Sequence, residues 1–296
     1  MRLMTFNVLN AWQPSSPVYK TMEKRSAGAV RFVREVLPDI LCLQEYDYYY
    51  RQDSLFESGV ASEYSEVDTA DEIGGDTWNT IFYRNGRFKV KASGGYSFAE
   101  NGFEVVPIKE DGETLPQRAC NCSKYLYPEG SLERAAGLER TRFRSLGWGL
   151  LEDGDGKKFI VATTHFSLRK ACQWAEVDFV MELLSELEKK YSCPVILCGD
   201  FNSATTWGAT KRLLDCGLLD TYDMAQKRDD ASTCHPSSGK GVSGETDRMP
   251  AGDYKTCAID HLLANTELKV DSFRIFAREE LLSVSDHCPT MIEFEI

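Results

Sequence analysis

Short apolar runs of strand length recur along the whole chain, and most of them stop at a polar residue. They cover Arg2 to Phe6, Asp39 to Gln44, Thr80 to Tyr83, Phe159 to Thr164, Val195 to Cys198, Ala258 to Ala264 and Thr290 to Ile296. Each is bounded like a strand. Between some of them the hydrophobic period changes. In Lys170 to Lys190, Trp174, Val177, Met181, Leu184 and Leu187 recur at helical spacing opposite Glu and Lys, which predicts an amphipathic helix. Thr21 to Leu37 behaves similarly through Ala29, Phe32, Val33 and Val36 and is stopped by Pro38. Trp207 to Cys216 is a shorter helix ended by Gly217. Strands mixed with helices predict an α/β or α+β architecture.

The polar ends of these runs carry the chemistry. Asn7 closes the first run and Glu45 the second; His165 follows Thr164, and Asp200 and Asn202 follow Cys198-Gly199. Asp260 interrupts Ala258 to Ala264, and Asp286-His287 precede the last run. Strand ends opening onto loops are where α/β proteins place sites. Taken singly, each residue fits a turn or a solvated strand end. Together they are harder to dismiss. In an extended Gly199-Asp200-Phe201-Asn202, Asp200 and Asn202 would share a face, since residues i and i+2 point together.

Residues 101–140, rich in Gly, Pro and charge, and 231–253, rich in Ser, Gly and Lys, read as long loops. With no repeat or linker, and with polar strand ends on both sides of these loops, the chain is expected to be one domain, 1–296. A net charge of -12 argues against stable binding of long duplex nucleic acid, which needs Lys and Arg against phosphates. It leaves room for a small phosphate substrate, and clustered carboxylates suit a bound cation.

Of ten cysteines, Cys42, Cys198 and Cys288 lie in apolar runs as small buried hydrophobes. Cys120 and Cys122 form a lone close pair, without the second pair that zinc sites usually show. The first residues show no signal region, and no apolar run approaches the roughly 18 residues that span a bilayer. The expectation is a reduced, cytoplasmic protein, or a secreted one whose signal peptide has been removed. Neither membrane insertion nor a protein partner is expected.

Thr5-Phe6-Asn7, Leu43-Gln44-Glu45, Thr164-His165-Phe166, Gly199-Asp200-Phe201-Asn202, Ile259-Asp260-His261 and Ser285-Asp286-His287 resemble, in order, the signature blocks of the endonuclease/exonuclease/phosphatase superfamily. That group includes deoxyribonuclease I, inositol polyphosphate 5-phosphatases, neutral sphingomyelinases and deadenylases. The resemblance implies a four-layer sandwich, two packed mixed β-sheets flanked by helices. It also implies a divalent-metal-dependent hydrolase of phosphate esters, using Mg2+ with Mn2+ as a substitute. By the same resemblance Asn7, Glu45 and Asp286 hold the metal, Glu45 foremost and Asn7 through its amide oxygen. Asp200 orients or deprotonates the attacking water, Asn202 holds a phosphate oxygen, and His165 donates to a non-bridging oxygen. His287 binds the phosphoryl group and Asp260 fixes its tautomer.

The substrate expected is a nucleotide, a nucleic-acid end or another small phosphoester. Alternatives are a nuclease on DNA or RNA, deadenylase-like forms included, a sphingomyelinase-like phospholipid phosphodiesterase, and an inactive binding module. His165 leans away from abasic-site endonucleases, where the position resembles a tyrosine. The Tyr48-Tyr49-Tyr50 run could stack on bases, and Arg134, Arg140, Arg142 and Arg144 could meet a second phosphate.

Overall fold

Alternation along the first strand sets the layering. On β1 (Arg2–Asn7), Met4 and Phe6 face one way and Leu3, Thr5 and Asn7 the other. Met4 and Phe6 pack with Ala29, Val30, Phe32 and Val33 of α1 (Met22–Val36), whereas Leu3 enters a core shared with distant strands. These relations come from a computed structural model, which describes residues 1–10, 21–46, 59–69, 79–98, 109–110, 113–114, 144–168, 170–235 and 252–296. The Cys120/Cys122 pair, Tyr48 to Tyr50, Arg134, Arg140, Arg142 and most of both long loops lie outside the described residues.

The chain continues through β2 (Ile40–Gln44), β3 (Tyr64–Glu66), β4 (Thr80–Arg84), β5 (Phe88–Ser97), β6 (Lys109–Glu110), β7 (Glu113–Thr114), β8 (Ser145–Asp153) and β9 (Lys158–His165). Next come α2 (Lys170–Tyr191), β10 (Val195–Asp200), α3 (Gly208–Asp215), β11 (Leu219–Asp220), α4 (Thr221–Met224) and β12 (Lys227–Arg228). It ends with α5 (Tyr254–Cys257), β13 (Asp260–Ala264), β14 (Lys269–Ile275) and β15 (Thr290–Glu295). One sheet runs β12-β14-β15-β1-β2-β4-β3, the other β11-β13-β10-β9-β8-β5-β6-β7. Both are mixed: β1 with β2 and β9 with β10 are parallel beside antiparallel neighbours.

Between the sheets, Leu3, Ile40, Cys42, Ile81 and Ile292 of the first meet Phe159, Val161, Ile196, Cys198 and Leu262 of the second. Cys42, Cys198 and Cys288 are free and buried. On the outer face of the second sheet, Val177, Val180, Leu184 and Leu187 of α2 and Leu213 of α3 cover Trp148, Ile160, Ala162 and Leu197. Helix, sheet, sheet, helix: this is the expected four-layer sandwich.

Two details depart from the sequence reading. Trp174, expected on the buried stripe of α2, is 45% exposed and lies against Arg212, whose guanidinium is 5.7 Å from its ring centroid. The buried face starts with Gln173, Glu176 and Val177 instead. The other concerns β5 and β8, which the apolar runs did not reveal. Glycines break their pattern: a Cβ at Gly149 would come within 2.9 Å of the Val67 side chain. The second sheet lies close to its neighbours there, so small residues stand where alternation would call for large ones.

Candidate active site

The inward stripes of four central strands change character along their length. They read Leu3, Thr5, Asn7 on β1; Ile40, Cys42, Gln44 on β2; Phe159, Val161, Thr163, His165 on β9; and Ile196, Cys198, Asp200 on β10. Each begins apolar and ends polar. Strand pairing aligns those ends, with Asn7 opposite Gln44, and Asp200 between His165 on β9 and Asp260 on β13. Across the sheets, Gln44 Nε2 donates to Thr163 Oγ1 at 2.9 Å and Asn7 Nδ2 to Asp200 Oδ2 at 3.0 Å. A polar layer thus caps one end of the apolar core, its members bonded to one another except at His165 Nδ1 and Asp260 Oδ1, which have no hydrogen-bond partner among the described residues.

Asp200 is the hub. His165 Nε2 lies 3.1 Å from its Oδ2, His287 Nε2 lies 3.6 Å from the same atom, and the Asn202 N–H donates to Oδ1 at 2.9 Å. On the far side of the ring, His287 Nδ1 is 2.8 Å from Asp260 Oδ2. The segment carrying His287 is anchored twice. Ser285 Oγ accepts from the His287 N–H at 3.1 Å and donates to the Asn7 carbonyl at 2.6 Å. A bridge pairs His287 with Cys234, in the described first residues of the second long loop.

Burial and charge separate the two aspartates. Burial works to raise Asp200, but the imidazoles of His165 and His287 outweigh it and hold the carboxyl below its usual range. Asp260 is raised, because burial dominates over its one imidazole partner. For His287, burial opposes the charge, yet Asp260 and Asp200 on either side lift it well above the ordinary histidine value. The 2.8 Å contact of Nδ1 with Asp260 Oδ2 fixes the orientation of the ring and turns Nε2 toward Asp200. Glu45 is also low: burial is outweighed by His165, by the main-chain and side-chain donors of Asn10, and by His287.

Glu45 and Asn7 join this group from the first sheet. Asn7 Nδ2, besides its bond to Asp200, lies 3.3 Å from Glu45 Oε1. The amide oxygen, expected to serve a cation, accepts the Leu9 N–H at 3.0 Å where the chain turns, which uses one of its two lone pairs. Asn202 also departs from expectation. Phe201 is buried and Asn202 has a positive φ of 48°, so a turn rather than strand alternation relates it to Asp200. Its Nδ2 donates to the Phe166 carbonyl at 2.8 Å, fastening the loop behind His165. Asp286 stands at the margin, 26% exposed, with Oδ1 3.9 Å from His287 Nε2.

A divalent cation fits this donor set. Ligating atoms of Asp200, Asp260 and His287 lie within 4.8 Å of one another, and Glu45 shares an amide donor with Asp200. Four carboxylates face two imidazoles, an excess of anionic oxygen that suits a hard ion. Asp260 Oδ2 is already committed to His287, which favours the Glu45 and Asp200 side for the cation.

Sequence reading missed several supports. Asn10 binds Glu45 through its N–H and its side chain, and buried Arg25 binds the Leu9 and Asn10 carbonyls. Gln173 Nε2 donates to the carbonyls of Ser167 at 2.8 Å and Asn202 at 3.1 Å, tying the His165 loop to the Asn202 loop. Glu176 accepts the Ser167 N–H at 2.9 Å and its hydroxyl. For the last two a signal existed: Gln173 and Glu176 are polar residues on the face of α2 that also carries Val177.

A sequence description of the Endonuclease/Exonuclease/phosphatase family matches residues 4–287. Among curated proteins none matches. A mannosyl-6-phosphatase of Bacteroides thetaiotaomicron is similar in structure, with TM-score 0.66 and 18% identity over 100% of both chains. So is the human Nocturnin catalytic domain with bound sulfate, with TM-score 0.59 and 17% identity over 100% of this chain and 94% of that one. The D. rerio TDP2 complexed with single strand DNA product gives TM-score 0.62 and 15% identity over 100% of this chain and 99% of that one.

Proposed function

This chain belongs to the endonuclease/exonuclease/phosphatase family, whose members hydrolyse phosphate esters, and from that premise we propose a single-domain, Mg2+- or Mn2+-dependent phosphodiesterase or phosphatase. One observation carries the reading. A buried imidazole is held between Asp260 at 2.8 Å and Asp200 at 3.6 Å, and Asp200 shares the Asn7 amide with the Glu45 carboxylate.

The chemistry follows from charge. A phosphate ester repels nucleophiles through its anionic oxygens, so a catalyst must place positive charge and a directed water beside it. Glu45, with Asp200 beside it and Asp286 at the margin, would hold the cation, which when bound supplies positive charge against a phosphoryl oxygen. Asp200 remains ionised and accepts a hydrogen bond from the attacking water. Its depressed pKa makes it a better orienting group than a proton acceptor. His287 would donate Nε2–H to the phosphoryl group while Asp260, 2.8 Å from Nδ1, fixes the ring. His165 Nε2, 3.1 Å from Asp200 Oδ2, would be shared with a non-bridging oxygen, and Asn202 keeps the His165 loop in place. No helix among the described residues is long and apolar enough to cross a membrane.

For the substrate, we favour a nucleotide, a nucleic-acid end or another small phosphoester. The structural likeness to a protein holding single strand DNA product and to a sugar phosphatase supports that range, and the charge of -12 disfavours long duplexes. Asp200→Asn and His287→Ala are each expected to lower kcat/KM on bis-p-nitrophenyl phosphate by roughly 10²–10⁴-fold. Wild-type rates in both variants would overturn the assignment. A parallel panel of short oligonucleotide, nucleotide, hexose phosphate and choline lipid ranks the substrate classes.

A further inference from the structure

We propose that Asn10, braced by the buried Arg25, is a positioning residue for Glu45, pinning carboxylate oxygen Oε2 so that Oε1 is left to a divalent cation. The inference rests on Glu45 being a ligand of that cation. Asn10 reaches Oε2 twice, from its N–H at 2.8 Å and its Nδ2 at 2.7 Å. Oε1 has the longer 3.3 Å contact from Asn7 Nδ2, on the side where that amide meets Asp200. The two oxygens are therefore unequal before any ion arrives. A glutamate free to rotate would present either oxygen, or both, and would lose that freedom on binding. Here the loss is already incurred in folding.

The turn that presents Asn10 is strained and needs a brace. Leu9 and Glu45 both take positive φ, 59° and 57°, a region that side chains rarely occupy. The Val8 N–H donates to the Gln44 carbonyl at 3.0 Å, and the Leu9 N–H donates to Asn7 Oδ1 at 3.0 Å. Arg25 completes the hold from α1. It is fully buried, and its guanidinium donates to the carbonyls of Leu9 at 2.8 Å and Asn10 at 3.1 Å. A buried charge is costly to desolvate, and here the hydrogen bonds that offset the cost go to two main-chain oxygens of one turn. The shape it enforces is the one that aims both Asn10 donors at Glu45.

The test is calorimetric titration of Mn2+ into the chelator-stripped full chain, with thermal melting in chelator to verify folding. Asn10→Ala and Asn10→Ser keep the main-chain donor and remove the amide, and Arg25→Lys keeps the charge but loses the two-armed grip. Asn10→Ala and Asn10→Ser are expected to weaken Mn2+ binding roughly 10–100-fold while the chelated proteins melt as wild type. Arg25→Lys should weaken it in the same direction. Glu45→Gln should lose the site. Wild-type Mn2+ affinity in both Asn10 variants, with binding lost in Glu45→Gln, overturns the positioning role. Undiminished binding in Glu45→Gln removes the premise itself.

Discussion

Asp200 and Asp260 flank one imidazole, yet their surroundings move them in opposite directions, Asp200 down and Asp260 up. The difference lies in partners: Asp200 meets two imidazoles and an amide, Asp260 one imidazole. Glu176, behind the His165 loop, shows burial without a compensating imidazole. Its carboxyl is pushed from 4.5 to about 7, chiefly by burial, although the Ser167 donors and Arg144 pull the other way. A carboxyl raised in the fold favours folding fully below its unfolded value, and that contribution is lost as pH rises through about 7. Glu176→Gln should flatten the dependence of stability on pH between 4.5 and about 7, by at most roughly 3 kcal/mol. Urea unfolding at several pH values reads this, and identical slopes for the two proteins would contradict it. Glu176 carried no motif; only its place on an apolar helix face could have flagged it.

Among the elements, β10 shows why the Gly-Asp-Phe-Asn block begins with glycine. Gly199 has φ 139°, and a Cβ there would stand 1.9 Å from the Thr164 carbonyl oxygen of β9. Such an overlap with backbone cannot be relieved by turning a side chain. Gly199→Ala should therefore force β9 and β10 apart, costing about 3 kcal/mol or more and separating Asp200 from His165. Chemical denaturation and turnover should fall together; an alanine variant that keeps wild-type stability would show that the strands tolerate the atom. The central strands were legible because their apolar runs are continuous, and β1, β2, β9, β10 and β15 lie within a residue or two of expectation. What stayed hidden, β5 and β8, is written in glycines and mixed residues that fit their neighbours and leave no period. The turns at Asn7 and Asn202 were illegible for another reason. Motif identity places a residue, whereas its amide orientation depends on hydrogen bonds from segments far away in sequence.

At the scale of the molecule, the site lies across the seam between two sheets, with Asn7 and Glu45 from one and His165, Asp200 and Asp260 from the other. A cation held there binds the folded arrangement and not the unfolded chain, so it should stabilise both halves at once. At a hundredfold excess over Kd, Mg2+ or Mn2+ should add about 2.7 kcal/mol. That should raise Tm by several degrees, and EDTA should abolish turnover. Full activity and an unchanged Tm in chelator would contradict the metal dependence. The contact between Ser285 and Asn7 joins residues 278 positions apart, and β1 pairs directly with β15. During translation the first strand therefore emerges long before one of its two neighbours exists. Until then it is an open edge that can recruit the wrong partner. A nascent chain stalled on the ribosome short of β15 should be catalytically silent and dependent on chaperones, so that the onset of turnover reports the docking of β15 against β1.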